Sequence, residues 1–243
     1  MKSARLTLAD APFAGRTGRG VTVAVVDSGI NAANPHVGHV AGGVSVGAGG
    51  VEGDEYNDAL GHGTAVGAAI REKAPAADLI AVKVFDRALA TSADVLARSI
   101  VWAAARGARL INLSLGTTNV ARQTVLRAAV DEAASRGALV VSASEVNGAR
   151  WLPGCLGGVA GVQVDWGCQR DELEVHIDGA GTIAFRASGY PRPIPGVPPA
   201  RNLAGASFAV ANVTGFLARL LEADVRTQDV ARVLVAACRL DSL

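Results

Sequence analysis

Asp27, His62 and Ser207 are the residues of this 243-residue chain whose types fit a single reaction. A serine hydroxyl is a weak nucleophile near neutral pH. It needs a base to take its proton, and the base needs a carboxylate to orient it. Asp27 follows the apolar run Val23-Ala24-Val25-Val26 and precedes Ser28-Gly29. His62 stands between Gly61 and Gly63, and these glycines let the chain turn sharply into a closely packed helix. Ser207 stands in Gly205-Ala206-Ser207-Phe208-Ala209, ahead of an apolar helical stretch. Free backbone N–H groups and the positive end of a helix dipole there would stabilise an oxyanion. Taken singly, each has a plainer explanation: Asp27 as a turn residue, His62 as a surface histidine on a glycine-rich turn, Ser207 as a helix cap. Together they require three chain-distant elements to deliver their ends to one place.

The surrounding pattern supplies such elements. Val21–Val26, Leu79–Phe85, Leu110–Leu115 and Leu139–Ala143 are short runs apolar on both faces, as a parallel sheet covered by helices requires. Shorter strands are expected at Val159–Val164, Glu174–Ile177 and Thr182–Arg186. Ser92 caps a predicted helix running to Arg106 and stopped by Gly107. Thr118 opens the next, which ends before Gly137 with Leu126, Ala129, Val130 and Ala133 as its apolar stripe. Ser207–Leu221 and Gln228–Cys238 read as the last two helices. Alternating strand and helix argue for a three-layer α/β fold: a mostly parallel central sheet with helices on both faces, one domain over 1–243. In such sheets, sites lie beyond the carboxyl ends of the strands. Tyr190–Pro199, the one Pro-rich stretch, reads as an extended surface loop.

These motifs resemble the subtilisin-like (S8) serine peptidases. The order Asp, His, Ser is the subtilisin order. Asp27-Ser28-Gly29, Gly61-His62-Gly63-Thr64 and Gly205-Ala206-Ser207-Phe208-Ala209 are similar to the family's three catalytic motifs. Ala74-Pro75 through Val82-Lys83-Val84-Phe85 and Ile111-Asn112-Leu113-Ser114-Leu115-Gly116 resemble two further family segments. The resemblance implies that Asp27 orients His62, that His62 is base and then acid, and that Ser207 attacks a peptide carbonyl. It implies that Ser114, Leu115 and Gly116 flank a bound peptide or protein substrate, which pairs with an exposed strand edge.

The match departs in places. The family's oxyanion donor is an Asn after the fourth strand, where this chain reads Ser144-Glu145-Val146-Asn147-Gly148. One alignment puts Val146 there; the other, with one inserted residue, gives the role to Asn147. A further alternative pairs the Ser207 backbone N–H with another donor. Losing the side-chain donor costs roughly 10²–10³ in rate, a figure measured within this family. Glu145 is either a solvated loop carboxylate or a selector of basic substrate side chains. Ala211 and Asn212 stand where the family usually has Pro and His after the serine. An impaired relative that keeps the groove as a peptide-binding or assembly module is the other reading. Only about twenty residues precede the first predicted strand, too few for a chaperone-like pro-segment, so either folding proceeds without one or it has been trimmed away.

Composition narrows the class. Lys+Arg total 23 against Asp+Glu 22, which gives no electrostatic case for nucleic acid or an anionic membrane. No 18-residue apolar run or signal-like segment is present, so no membrane partner is expected. Aromatics make up 4%, so the core is aliphatic. The odd, widely spaced Cys155, Cys168 and Cys238 favour reduced thiols and a cytoplasmic location, with a Cys155–Cys168 disulfide as the alternative. No CxxC pair offers a zinc site. Asp54, Glu55 and Asp58 read as a solvated acidic loop, and His36 and His39 as surface histidines, so neither metal nor cofactor is expected.

Overall fold

The computed structural model describes residues 2–85, 90–177, 183–198 and 201–240. Its centre is the parallel run expected from the apolar segments. β2 (Thr22–Asp27) lies between β5 (Asp78–Lys83) and β6 (Leu110–Leu113), and β6 pairs in turn with β7 (Leu139–Ala143). The sheet continues in parallel through β10 (Ala160–Val164) to β12 (Ile183–Ala187) on one side and to β3 (Val40–Gly47) on the other. Three antiparallel strands complete the ten: β11 (Glu172–Ile177) on β12, β1 (Lys2–Thr7) on β11, and β4 (Gly50–Gly53) on β3.

The period of two along β2 decides the layers. Val23 and Val25 face one buried cluster, shared with α1 (His62–Lys73), α4 (Ala206–Leu221) and α5 (Val230–Leu240). Ala24 and Val26 face the opposite cluster, built on α2 (Ala93–Ala105) and α3 (Gln123–Ser135). Helices thus cover both faces, as a strand apolar on both sides demands. α4 is buried along most of its length because it packs against α1 and against β6, β7, β10 and β12.

Several boundaries differ from expectation. The strand expected over Leu79–Phe85 ends at Lys83, and that over Leu110–Leu115 ends at Leu113, which frees Ser114–Gly116 as a rim segment. Ser92 caps α2 as expected, accepting from the Val95 N–H at 3.2 Å. Thr118 does not open α3. Its neighbour Thr117 is tied to Leu152 by a pair of backbone bonds of 2.8 and 2.9 Å, which holds this stretch extended. Asn119, a better cap than Thr, starts a one-turn 3₁₀ helix (Val120–Arg122) that leads into α3. A 3₁₀ turn (Thr227–Asp229) likewise precedes α5. β1 lies ahead of the first strand read from sequence, and β3 and β4 were not expected; all three are at or near a sheet edge. Thr182 and Pro199, at the ends of the expected last strand and Pro-rich loop, lie outside the described residues. No described helix is long and apolar enough to cross a membrane.

Candidate active site

Asp27 is the last residue of β2 and is fully buried. His62 is the first residue of α1. Their side chains meet at 2.7 Å between Asp27 Oδ1 and His62 Nδ1. The Ser28 backbone N–H donates to the same Oδ1 at 2.7 Å, so the carboxylate is held by two donors. A ring that gives its Nδ1 proton to Asp27 presents Nε2 as a free base.

Two glycines allow this meeting. Gly61, the residue before α1, has φ 81°, a left-handed geometry that favours glycine. Gly63 approaches the end of β2 so closely that a Cβ there would lie 2.2 Å from the Gly29 carbonyl and 3.2 Å from Asp27 Oδ1. The glycine-flanked histidine is therefore a packing requirement: the helix must reach the strand end for the bond to form.

Asp58, expected to be part of a solvated acidic loop, is a structural carboxylate of this site. Its Oδ1 accepts from the N–H groups of Leu60 and Gly61 at 2.9 and 2.8 Å and from the Ser28 hydroxyl at 2.9 Å. Its Oδ2 accepts from the Thr64 N–H and hydroxyl at 2.8 and 2.6 Å. It thereby caps α1 from outside the helix. Burial alone would raise its pKa, but the bonds from Thr64, Gly61 and Ser28 hold it below the ordinary carboxylate value. The Ser28 hydroxyl, 3.2 Å from Asp27 Oδ1, also accepts the Gly63 N–H at 2.9 Å and so links both carboxylates to the helix start. Burial of the His62 ring favours its neutral form. The bond to Asp27 and the charges of Asp27 and Asp58 outweigh this and raise its pKa above the ordinary histidine value.

Ser207 lies in the first turn of α4, two residues after Gly205, the N-cap, which makes no side-chain capping bond. Ser207 is thus not the cap itself. The first amides of a helix have no partner within it, so the Ser207 N–H is a donor at the positive end of α4. Phe208, the next residue, packs beside the His62 ring at a centroid separation of 5.7 Å. The Ser207 hydroxyl donates to the Ser114 carbonyl at 3.3 Å, so the serine also touches the expected substrate edge. Ser114, Leu115 and Gly116 follow β6 and are partly exposed. Trp151 crowds this edge: a Cβ on Gly116 would sit 2.3 Å from its indole nitrogen.

The departures from the resemblance have visible roles. Asn212, buried in α4, donates to the backbone carbonyls of Ser188 and Tyr190 at 2.9 and 3.3 Å, which anchors the loop that leads to Ser207. Ala211 packs in the core beside it. Asn147 occupies the first position of a two-residue turn between β8 (Glu145–Val146) and β9 (Ala149–Arg150). Asn147 and Gly148 have φ of 51° and 79°, as an Asn-Gly hairpin turn requires. Asn147 and Glu145 are exposed, and Val146 packs partly against the core. The structure therefore joins Asp27 to His62 and Ser207 to Ser114, with Phe208 against the His62 ring, and sets Asn147 at a hairpin tip.

The described residues contain no group of three or more metal-ligating side chains, and Asp54, Glu55, His36 and His39 are exposed. Cys155, Cys168 and Cys238 form no disulfide.

The Subtilase family model matches residues 18–161, more than half of the chain. This chain belongs to the subtilase family. Subtilisin Savinase of Lederbergia lenta is 39% identical over 145 residues, covering 56% of this chain and 51% of that protein. The thermostable alkaline protease of Halalkalibacterium halodurans is 33% identical over 222 residues, covering 83% of this chain and 56% of that protein. This subtilase chain thus spans about half the length of the curated relatives it matches. Among solved structures, Sphericase superposes with a TM-score of 0.69 at 22% identity, over 90% of this chain and 83% of that one, which supports the fold. The matched span holds Asp27, His62 and Ser114–Gly116, while Ser207 lies beyond it.

Proposed function

We propose that this subtilase is a serine endopeptidase in which Asp27, His62 and Ser207 form the catalytic triad. The observation that carries the reading is the buried Asp27–His62 bond of 2.7 Å beside the helix start that bears Ser207. A rotation of the Ser207 side chain away from the Ser114 carbonyl hands its proton to His62 Nε2, and the oxygen attacks a peptide carbonyl. Asp27 holds the ring in the needed tautomer and stabilises the imidazolium that forms. His62 then protonates the departing amine, and water repeats the cycle on the acyl-enzyme. The oxyanion donor assigned here is the Ser207 N–H, assisted by the α4 dipole. Asn147 joins it only if the hairpin folds down over the site. The peptide pairs with the Ser114–Gly116 edge. These side chains suffice without a cofactor, and cysteines outside any disulfide fit a reducing compartment such as the cytoplasm.

The test is hydrolysis of a fluorogenic peptide library by the wild type, Ser207→Ala and His62→Ala. Cleavage by the wild type alone supports the reading. Tight peptide binding without turnover would make the chain a binding module instead.

A further inference from the structure

A cavity of about 570 Å³ opens at the start of α1, lined by Gly61, the residue before His62. One wall is the start of α1, with Gly61, Thr64 and Asp58; the other is the segment ahead of α4, with Arg192 and Arg201. No lining residue comes from the Ser114–Gly116 edge or from the β8–β9 hairpin. A peptide whose acyl half lies on that edge crosses Ser207 and leaves past His62, because His62 must reach the departing amine. This cavity, on the Gly61 side of His62, is where its departing half would run.

The charge of the cavity is positive. Asp58 is its one carboxylate, and its two oxygens are already engaged by five donors. The guanidinium groups of Arg192 and Arg201 form no ion pair among the described residues. His36 adds a ring nitrogen at the rim, and Ile194 and Leu203, 51% and 49% exposed, supply aliphatic surface at the mouth. Unpaired guanidinium groups select carboxylates by charge and by their fork of donors.

Resting on the peptidase reading, we propose that this cavity is the subsite for the departing half of the substrate, and that Arg192 and Arg201 select an acidic side chain within its first few residues. Such partly exposed pairs are each worth a few-fold in rate, so a Glu-for-Lys exchange should change kcat/KM on the order of tenfold, less at high salt.

The experiment uses quenched fluorescent peptides that share one acyl half and carry Glu, Gln or Lys at the second or third departing position. The wild type should prefer Glu over Gln over Lys, and Arg192→Glu/Arg201→Glu should invert the order. Turnover of an activated ester with no departing residues should be the same in both proteins. Arg192→Gln/Arg201→Gln, which flattens the preference, covers the case in which charge reversal impairs folding. A wild-type Glu-to-Lys ratio within about twofold, or an unchanged ratio in the variants, overturns the subsite while the ester signal keeps the peptidase reading. A wild type inert toward ester and peptide alike removes the peptidase reading and this subsite with it.

Discussion

Replacing Gly63 by alanine tests whether the approach of α1 to β2 is what creates the base. The new Cβ would lie 2.2 Å from the Gly29 carbonyl oxygen, where ordinary contact begins near 3.4 Å. Strand end and helix start must therefore part by roughly 1 Å, a shift that alone can cost about 10² in rate at a catalytic site. The Asp27–His62 bond begins at 2.7 Å and weakens past the usual hydrogen-bond limit if the shift falls along it. Overpacking of this kind costs about 1–3 kcal/mol of stability, or roughly 2–12 °C in Tm for a chain of this size. Gly61→Ala is the control. Its position is open but left-handed, so alanine there pays about 1–2 kcal/mol of backbone strain without wedging the helix from the strand. The assay is kcat/KM on one cleaved peptide beside thermal unfolding of both variants. Gly63→Ala should lose about 10² in kcat/KM, and Gly61→Ala less than tenfold, at similar Tm losses. Equal rate losses in the two variants, or a near-wild-type rate for Gly63→Ala, would mean that the close approach of α1 to β2 does not create the base.

Further outcomes follow from the same geometry. Because His62 is raised above the ordinary histidine value, the acid limb of kcat/KM should fall above about pH 6.5, and Asp58→Asn should move it to lower pH by removing a nearby negative charge. The stability that the raised His62 contributes is fully present below its unfolded pKa and is lost as pH rises through its folded value. Asp58, held low, contributes stability above its unfolded value that is lost as pH falls through its folded pKa, so Asp58→Asn should flatten the acid side of a Tm–pH curve. It should also cost about 1 kcal/mol near neutral pH through the lost cap. Asn147→Ala should lower kcat less than tenfold if Asn147 is only a turn residue; a loss of roughly 10²–10³ would make it the oxyanion donor. In native thiol titration Cys155, the partly exposed one, should react first. Cys168, buried and pushed up to about 11, should wait for unfolding.

What could be read from sequence was whatever local pattern and long-range geometry agreed upon. The central strands are apolar on both faces, and the glycines around His62 announce its close packing, so the Asp27–His62 meeting was legible without coordinates. β1 was not, because Lys2–Thr7 becomes a strand only by pairing with Glu172–Ile177 far along the chain. β3 was hidden by glycine: Gly43 weakens the strand signal, yet a Cβ there would strike the Tyr56 ring at 2.5 Å. Asn147-Gly148 carries a hairpin signal in its own dipeptide, because both residues tolerate positive φ. Asp58 was masked by its acidic neighbours, although its place four residues before His62 suits a carboxylate that caps the histidine's helix. The cavity facing Arg192 and Arg201 depends on two segments meeting across the site, which no local pattern shows.

The most direct measurement is the pH dependence of fluorophosphonate labelling, with the modified residue located by mass spectrometry. A single adduct should form on Ser207, faster as pH rises through the raised His62 pKa and slower by orders of magnitude in His62→Ala. An adduct elsewhere, or Ser207 labelling at the same rate with and without the imidazole, would mean that these residues do not act as a triad.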